Sequence, residues 1–466
     1  MVFSSLLFLC LFFPITLLLY YILPERWKNC LLLIASLIFY AWGEPLHMLL
    51  MLFTTLYTWF LCLQMEKARN KGKKGLERFL LILCLIFSLG SLFYFKYFTF
   101  LTENLPFLQG LGLPQPALPI GISFYTFQAL SYVLDVYWGK VKAQRNWLNF
   151  AMYISLFPQL VAGPIVRYED IEGQLTHRKL TANGLYKGTI RFVIGLGKKV
   201  LLANQIGLLY DKISGLGSLS VASAWLSAIA FTFQIYFDFS GYSDMAIGMG
   251  QMFGFDFPEN FLYPYESKSV SEFWRRWHVT LGTWFREYVY IPLGGNRRST
   301  PRVILNLFIV WALTGLWHGA AWQFVLWGLY YFLFLVLEKF VLGKWMKKWP
   351  SFLRHLYTLI VVVFGWVLFA SPTLSDAIHV WGAMLGIGVP FLDGAAKFYF
   401  MGSLALLPIL VLASTHYPKQ WTERLQKSRH PAVFRWASWV CVSVLLLCSL
   451  SFLVGDSYNP FLYFRF

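Results

Sequence analysis

The chain contains apolar runs that are long or dense enough to cross a lipid bilayer, and these runs constrain its fold more than any other feature. They occupy residues 6–23, 79–92, 303–316, 324–337 and 436–454. A spanning helix needs roughly 20 apolar residues, and the backbone inside a bilayer must satisfy its own hydrogen bonds. The runs are continuous, whereas membrane barrel strands alternate apolar and polar residues. The sequence therefore predicts an all-α, polytopic bundle of transmembrane helices.

The charges follow the pattern of a membrane protein. Of the 466 residues, 58% are hydrophobic and 13% charged, which leaves too few polar side chains to cover a soluble core. The formal charge of +17 comes largely from short loops at 66–78, 295–302, 343–349 and 419–430. Basic loops between spans are typical of the cytoplasmic face, so we expect no nucleic-acid partner. The first run has no charged segment before it and no cleavage site, which favours a retained helix.

The basic loops also predict the topology, with the N-terminus and residues 455–466 outside the cytoplasm. We interpret 1–466 as one integral membrane domain, with N-terminal spans in 1–117, a functional core in 118–340, C-terminal spans in 341–454 and an external tail in 455–466. Residues 147–185 and 236–300 mix charged, Gly and Pro residues with apolar ones. Such segments survive at membrane depth only when they are buried or line a cavity, so we expect short, tilted or re-entrant helices there.

His318 is the strongest candidate for chemistry. The uncharged run that precedes it begins beside a basic loop, and about 15 residues at roughly 1.5 Å each place His318 well inside the membrane. An ionisable side chain at that depth should face a cavity or a partner. Gly315 and Gly319 would leave room for a neighbouring helix or for a slender substrate. A neutral histidine there is suited to accept a proton from a hydroxyl group.

His278 is the second candidate. Ser269 or Ser271 could cap a helix here, with Glu272 in its first turn. One continuous helix would place His278 on an aromatic face with Trp274, Trp277, Leu281 and Phe285. Burial and nearby arginines should both keep the imidazole neutral. A structural histidine bonded to a backbone carbonyl is the alternative.

Asp238 and Asp244 lie in the otherwise apolar run 233–261, around Ser240 and Gly241. We expect these carboxylates to bond buried arginines or polar backbone, although either could orient a histidine. The glycines at 241, 248, 250 and 254 lack the lysine of a phosphate loop, which favours close helix contact. The six cysteines lie within apolar runs without the spacing of zinc ligands, so no metal site is predicted.

Five segments carry a resemblance to a known family: LPIGISFYTFQALSYVLDVY (118–137), FPQLVAGPIVRYEDI (157–171), FQIYFDFSGYSDMAIG (233–248), SVSEFWRRWHVTLGTWFREYVYIPLGGNRR (269–298) and GLWHGAAWQFVLWG (315–328). In this order they resemble the membrane-bound O-acyltransferase superfamily, specifically its bacterial alginate O-acetyltransferase-like branch. Residues after about 342 are weakly patterned. The resemblance implies a ring of helices around a thinned centre with a through-membrane tunnel. It makes His318 the essential histidine and His278 the second motif histidine.

The resemblance also implies the reaction. Family members pass an acyl group through the tunnel, commonly to an extracytoplasmic partner protein that modifies a polysaccharide such as alginate, peptidoglycan or a secondary wall polymer. The implied donor is a cytoplasmic thioester, acetyl-CoA for the alginate-like branch, with no bound cofactor, and the implied location is the bacterial cytoplasmic membrane. D-alanyl transfer to teichoic acid is the alternative. A transporter and an envelope scaffold are the non-enzymatic alternatives, although neither repeats nor an ion-binding cluster supports a transporter.

The last six residues, FLYFRF, fit the pattern F-x-Y-x-x-F found at the end of a small companion protein in teichoic-acid D-alanylation. That likeness implies an acyl relay through Tyr463, whereas an aromatic anchor at the membrane edge is the alternative. We expect Arg275, Arg276, Arg297 and Arg298 to bind phosphates of the donor, whereas snorkelling to the cytoplasmic membrane surface is the alternative. His318 would act as general base and His278, or a nearby donor, would stabilise the oxyanion.

Overall fold

The structure is a computed structural model that describes residues 1–109, 115–427, 431–455 and 461–462. Within these ranges every regular element is a helix, and the only β-type pairing is an isolated antiparallel bridge between Phe261 and Trp277. The prediction of an all-α fold is therefore confirmed.

Seven helices of the described chain are long and apolar enough to cross a membrane: His47–Asn70, Lys74–Asn104, Ala182–Ser214, Thr300–His318, Trp322–Met346, Ser351–Ala370 and Val433–Gly455. Four of the five predicted runs fall within these spans. The first run forms a shorter apolar helix over Phe8–Ile22. Gly394–Ser403 and Leu406–Ala413 pass the same criteria together but are bent by 61° at their junction, as in a broken span or a re-entrant loop.

The first of two compact units comprises Met1–Phe192 and Ser243–Pro258. Its helices are Phe13–Ile22 (α1), Glu25–Ala41 (α2), His47–Asn70 (α3), Lys74–Leu92 (α4), Phe98–Asn104 (α5), Pro106–Gln109 (α6), Ile122–Trp138 (α7), Trp147–Ser155 (α8), Phe157–Leu160 (α9) and Tyr168–Thr176 (α10). Nearly every residue of α7 is buried, which makes it the central helix of this unit. The short helices α8 to α10 confirm the interpretation of 147–185 as broken helical structure.

Three helices follow: Ala182–Gly197 (α11), Asn204–Ser214 (α12) and Val221–Met252 (α13). The division between the units falls within α11 and α13. The second unit comprises Val193–Tyr242 and Glu259–Phe466. Its remaining helices are Val270–Arg276 (α14), Val279–Phe285 (α15), Thr300–His318 (α16), Trp322–Leu337 (α17), Gly343–Met346 (α18), Ser351–Ala370 (α19), Leu374–Met384 (α20), Gly394–Ser403 (α21), Leu406–Ala413 (α22), Tyr417–Gln426 (α23) and Pro431–Gly455 (α24).

Several helices contain wider π-helical turns, and these continue neighbouring α-helices. The π turns are Phe8–Phe12, Phe93–Tyr97, Lys198–Ala203, Arg286–Tyr290 and Glu338–Leu342, and a 3₁₀ turn covers Pro264–Glu266. π turns are frequent at functional sites.

The prediction of broken helices across 236–300 is half right. Residues after Glu259 do form the short helices α14 and α15, but 236–252 belong to the 32-residue helix α13. The carboxylates of this helix are paired with cations: Asp238 meets Lys199 and Asp244 meets Arg191. Its glycines confirm the prediction of close helix contact, since an added Cβ at Gly241 would lie 2.7 Å from the backbone oxygen of Gly195 in α11.

Candidate functional site

His318 is the last residue of α16, and α16 packs closely on α17. A Cβ on Gly315 would lie 2.4 Å from the Phe324 oxygen, and one on Gly328 would lie 2.3 Å from the Trp311 oxygen. Only glycine allows this approach. Gly319 also packs against Phe324. The space left by Gly315 and Gly319 is therefore filled by the neighbouring helix α17, which was one of the two predicted alternatives.

The ring of His318 is buried, with 6% of the residue exposed. Three aromatic rings surround it edge to face: Trp317 at 5.1 Å, Trp327 at 4.9 Å and Phe369 at 5.4 Å between ring centroids. The ring therefore lies in an apolar environment.

His278 does not lie within a continuous helix, so that prediction is wrong. α14 ends at Arg276, and His278 has a left-handed backbone with φ of 45° before α15 starts at Val279. The backbone N–H of Val279 donates to the backbone carbonyl of Asn260 at 3.0 Å. The backbone N–H of Leu262 donates to the backbone carbonyl of Arg276 at 2.9 Å. This short pairing holds His278 in a conformation that L-residues rarely adopt, which is characteristic of functional sites.

The cap of α14 agrees with the prediction. The Ser269 side chain accepts from the N–H of Glu272, which lies in the first turn. Ser271 instead contacts Glu338, whose carboxylate accepts from the Ser271 hydroxyl at 2.7 Å. Ser269 is therefore the N-cap.

A hydrogen bond to Asn260 determines the tautomer of His278. The Nδ1 of His278 lies 3.1 Å from Oδ1 of Asn260, and that oxygen also accepts from the backbone N–H and hydroxyl of Thr280. Because an amide oxygen only accepts, Nδ1 carries the proton and Nε2 carries the lone pair. Nε2 is buried and has no hydrogen-bond partner among the described residues.

Burial lowers the pKa of His278 from 6.5 to about 3. This residue lies outside the seven candidate spans. The neutral state agrees with the prediction, and burial is its cause. A neutral ring whose only N–H faces Asn260 cannot donate to an oxyanion, so the donor role predicted for His278 does not fit its hydrogen bonding.

A cavity of about 380 Å³ contains both histidines in its lining. One wall is a stripe of α16 with helical spacing, formed by Leu307, Val310, Trp311, Thr314 and His318. At roughly 1.5 Å per residue this stripe extends about 16 Å along the helix. We call this space the histidine cavity. Its shape and largely apolar lining suit a slender, mainly apolar chain with a reactive end.

A second, much smaller cavity of about 20 Å³ also borders His318. His318 and Trp277 line both spaces. The other lining residues of the small cavity include Asp238, Phe239, Phe461 and Leu462. His318 therefore lines a large cavity and also lies close to the C-terminal end of the described chain.

The four predicted donor-binding arginines separate into two groups. Arg275 lines the histidine cavity. Arg276 pairs with Glu272 at 2.6 Å and lies 3.8 Å from Glu266, while the exposed Arg297 and Arg298 are not part of the cavity lining.

Sequence reasoning missed two residues of the site. Arg286 lines the histidine cavity, and Asn260 fixes the tautomer of His278. Asn260 carried no signal in the sequence, because both its complete burial and its partner depend on the fold. Arg286 gave no separate signal, because its position depends on the break at His278.

The two carboxylates bond cations, as the sequence predicted. Asp244 accepts from Nε and Nη2 of Arg191 at 3.0 and 2.9 Å. Asp238 pairs with Lys199 and accepts from the N–H of Leu462 at 2.7 Å. Both carboxylates therefore make the structural contacts that were expected, although the cation at Asp238 is a lysine and not an arginine.

Two further predictions concern Tyr463 and metal ions. Tyr463, the predicted relay, lies outside the described residues. In the described part of the chain, no three His, Cys, Asp or Glu side chains are grouped to hold a metal ion.

Comparison with known proteins supports the resemblance. Residues 34–375 match the family model described as MBOAT, the membrane-bound O-acyltransferase family. The chain is 43% identical over 394 residues to the probable alginate O-acetylase AlgI of Pseudomonas aeruginosa, covering 83% of this chain and 75% of that protein. It is 34% identical over 431 residues to the peptidoglycan O-acetyltransferase of Helicobacter pylori, covering 83% and 80%.

A third relative is more distant. The chain is 29% identical over 300 residues to the teichoic acid D-alanyltransferase of Bacillus subtilis, which covers 58% of this chain and 74% of that protein. The family match covers most of the chain and includes both histidines. The chain therefore belongs to the membrane-bound O-acyltransferase family and is a multi-pass membrane O-acyltransferase.

Proposed function

We propose that this enzyme takes an acetyl group from a cytoplasmic thioester, acetyl-CoA, and passes it across the bacterial cytoplasmic membrane for O-acetylation of an extracytoplasmic polysaccharide. An extracytoplasmic partner protein would complete the transfer. The relatives named for alginate and peptidoglycan acetylation support the acetyl group and the polysaccharide class. The proposal treats 1–466 as a single catalytic unit with a passage that crosses the membrane at His318.

The observation that carries this proposal is that His318 borders two cavities. The histidine cavity has Arg275 and Arg286 in its lining, which suit the phosphates of a CoA-type donor. Its apolar length would accommodate the thioester arm and bring the carbonyl carbon to His318. The small cavity has room for about one water molecule, and it brings the C-terminal segment at Phe461 and Leu462 next to His318.

In the proposed reaction His318 is the general base. It removes the proton from an acceptor hydroxyl while that oxygen forms a bond to the thioester carbonyl carbon. The tetrahedral oxyanion then collapses, the carbon–sulfur bond breaks, and the leaving thiolate takes the proton from His318. Where Tyr463 is the acceptor, its ester passes the acetyl group to the next hydroxyl and the tyrosine is regenerated.

The hydrogen bonding of His278 assigns it a different role from the one predicted. Its Nε2 lone pair can accept a hydrogen bond from an amide N–H of the thioester arm and so orient the acyl donor, because the single O–H proton of the acceptor goes to His318. The oxyanion needs another donor. Trp274 lines the histidine cavity, and its indole N–H is buried without an acceptor among the described residues. We propose that this N–H stabilises the oxyanion.

The test uses the intact protein in vesicles with acetyl-labelled CoA. The wild type is expected to move label to its acceptor. His318→Gln should lower the rate by about two to four orders of magnitude, because general-base catalysis is lost. The matched control is His379→Gln, because His379 is exposed and lines neither of the two cavities.

Several results would contradict the proposal. Transfer at the wild-type rate by a correctly inserted His318→Gln variant would refute the role of His318. Label transfer from a D-alanyl carrier thioester but not from acetyl-CoA would favour the D-alanyl alternative. The absence of transfer from both donors would refute the proposed choice of thioester donor.

A further inference from the structure

The C-terminal end of the described chain is fixed by an ion pair inside the protein. Asp238 accepts a hydrogen bond from the backbone N–H of Leu462 through Oδ2 at 2.7 Å, while its Oδ1 contacts the ammonium group of Lys199. The side chains of Lys199 and Asp238 are only 6% and 3% exposed. A buried carboxylate is tolerated when it is paired and hydrogen-bonded, and here each of its oxygens has one partner.

Local structure explains how the pair forms. Lys199 lies in the π turn Lys198–Ala203 that continues α11, and Asp238 lies in α13. Gly241 lets the two segments approach closely. A Cβ added there would lie 2.7 Å from the backbone oxygen of Gly195 and 3.1 Å from the backbone nitrogen of Lys199. The ion pair therefore depends on a close backbone contact that the sequence provides with one glycine.

The docked segment touches the wall of the site. The ring of Phe461 lies 5.5 Å from that of Phe239 and 5.0 Å from that of Tyr242. Phe239 also contacts the ring of His278 edge to face at 4.7 Å. Phe461 and Leu462 also line the small cavity together with His318. The described end of the tail therefore lies near His318 and, through Phe239, near His278.

We infer that Lys199 and Asp238 are positioning residues, a tail latch that docks the C-terminal segment beside His318 in a fixed register. The bond is made to the main chain of Leu462, so the docking at this point does not depend on the Leu462 side chain. The docking stands on the contacts described above, whereas its catalytic purpose rests on the proposed function, in which Tyr463 receives the acyl group.

The experiment compares the full-length wild type with two variants of the tail latch. Asp238→Asn removes the carboxylate that pairs with the buried Lys199, and this variant could fail to fold. Lys199→Met/Asp238→Leu removes both charges together and retains apolar volume. This double variant leaves no unpaired buried charge, so it is the variant expected to fold and to give a result. The matched control is Arg191→Met/Asp244→Leu, which removes an ion pair between α11 and α13 that does not contact Leu462.

Two readouts separate docking from catalysis. Hydrogen exchange measured on C-terminal peptides reports protection of the Leu462 amide, and mass spectrometry reports acetyl label on Tyr463 after incubation with acetyl-CoA. In the double latch variant we expect Leu462 exchange to become at least tenfold faster. Label on Tyr463 and kcat should each fall at least tenfold, with the KM for the donor unchanged. In the control, Leu462 exchange should match the wild type.

Unchanged exchange of Leu462 in the double latch variant would overturn the docking. Faster exchange with undiminished label on Tyr463 would overturn the positioning role. A wild type that acetylates its external acceptor but never carries label on Tyr463 would remove the relay from the proposed function, and with it the catalytic purpose of the latch. The exchange result would then still report on docking by itself.

Discussion

His278 donates its Nδ1 proton to Oδ1 of Asn260 over 3.1 Å, and this one hydrogen bond determines which ring nitrogen is basic. The same oxygen accepts from the backbone N–H of Thr280, which fixes the orientation of the amide. His278 is thus an acceptor through Nε2 and not a donor, which separates its role from that of an oxyanion-stabilising group.

Replacing Asn260 with Asp should give the reaction a new acidic limb. A buried carboxylate next to Nδ1 favours the imidazolium and raises the pKa of His278 from about 3 toward the neutral range. Protonation of Nε2 then removes its lone pair, so the rate should fall as the pH drops through the raised pKa. The measurement is a pH–rate profile of acetyl transfer between pH 5 and 8.

Thr280→Val is the matched control for that variant. It removes a hydroxyl that donates to the same Asn260 oxygen at 2.9 Å and leaves the bond to His278 in place. An acidic limb in Thr280→Val, or none in Asn260→Asp, would contradict the assigned role of Asn260.

The lowered pKa of His278 also predicts a pH-dependent stability. Between about pH 6.5 and 3 the unfolded chain binds a proton at this residue and the folded chain does not, so stability rises with pH across this window. The contribution is complete above pH 6.5 and is lost at about 1.4 kcal/mol per pH unit on acidification. His278→Gln should lack this component. Thermal unfolding in detergent at pH 7 and pH 5 measures it, and equal pH slopes for both proteins would contradict it.

Arg275 and Arg276 are adjacent in sequence, but they are expected to differ in donor binding. Arg275 lines the histidine cavity, whereas Arg276 is neutralised by Glu272 at 2.6 Å. Arg275→Gln should raise the KM for acetyl-CoA by about tenfold to a hundredfold, as expected for losing a hydrogen bond to a charged group. Arg276→Gln should raise it much less. Donor KM values at two salt concentrations test this, and equal effects would contradict it.

Trp274→Phe should lower kcat without raising the donor KM. The change retains an aromatic ring against Trp311 but removes the indole N–H proposed to meet the oxyanion. Loss of one such donor typically costs about a hundredfold to a thousandfold in kcat. Steady-state kinetics of acetyl transfer measure the effect. A rise in KM alone would assign Trp274 to donor binding instead.

Gly328→Ala should destabilise the packing of α16 on α17. The new methyl group would lie 2.3 Å from the Trp311 backbone oxygen, and backbone cannot move aside as a side chain can. Overpacking of this kind typically costs about 1 to 3 kcal/mol or more. Gly90→Ala is the matched control, because Gly90 also lies within a helix but has nothing within 4 Å of the added Cβ. Thermal unfolding should show a lower Tm for Gly328→Ala only.

The candidate site shows how far sequence patterns reach. His318 and its buried environment follow from an apolar run that ends in one ionisable residue. The prediction of a continuous helix through His278 is wrong. It is suggested by the apolar residues on both sides of the break, which keep helical spacing. A left-handed residue held by pairing with 260–262 leaves no periodic signal, since the pairing partner lies 18 residues earlier in the chain.

The sequence by itself determined that the chain is a helical membrane protein with two histidines in apolar surroundings, because hydrophobic length and the cost of buried ionisable groups are local properties. The tertiary structure alone decided that His278 and His318 share one cavity and that Arg286 joins Arg275 there. It also decided that Asp238 holds Leu462, 224 positions away. Those relationships depend on long-range packing, such as the glycine contacts between helices, and side-chain spacing along the chain carries no record of them.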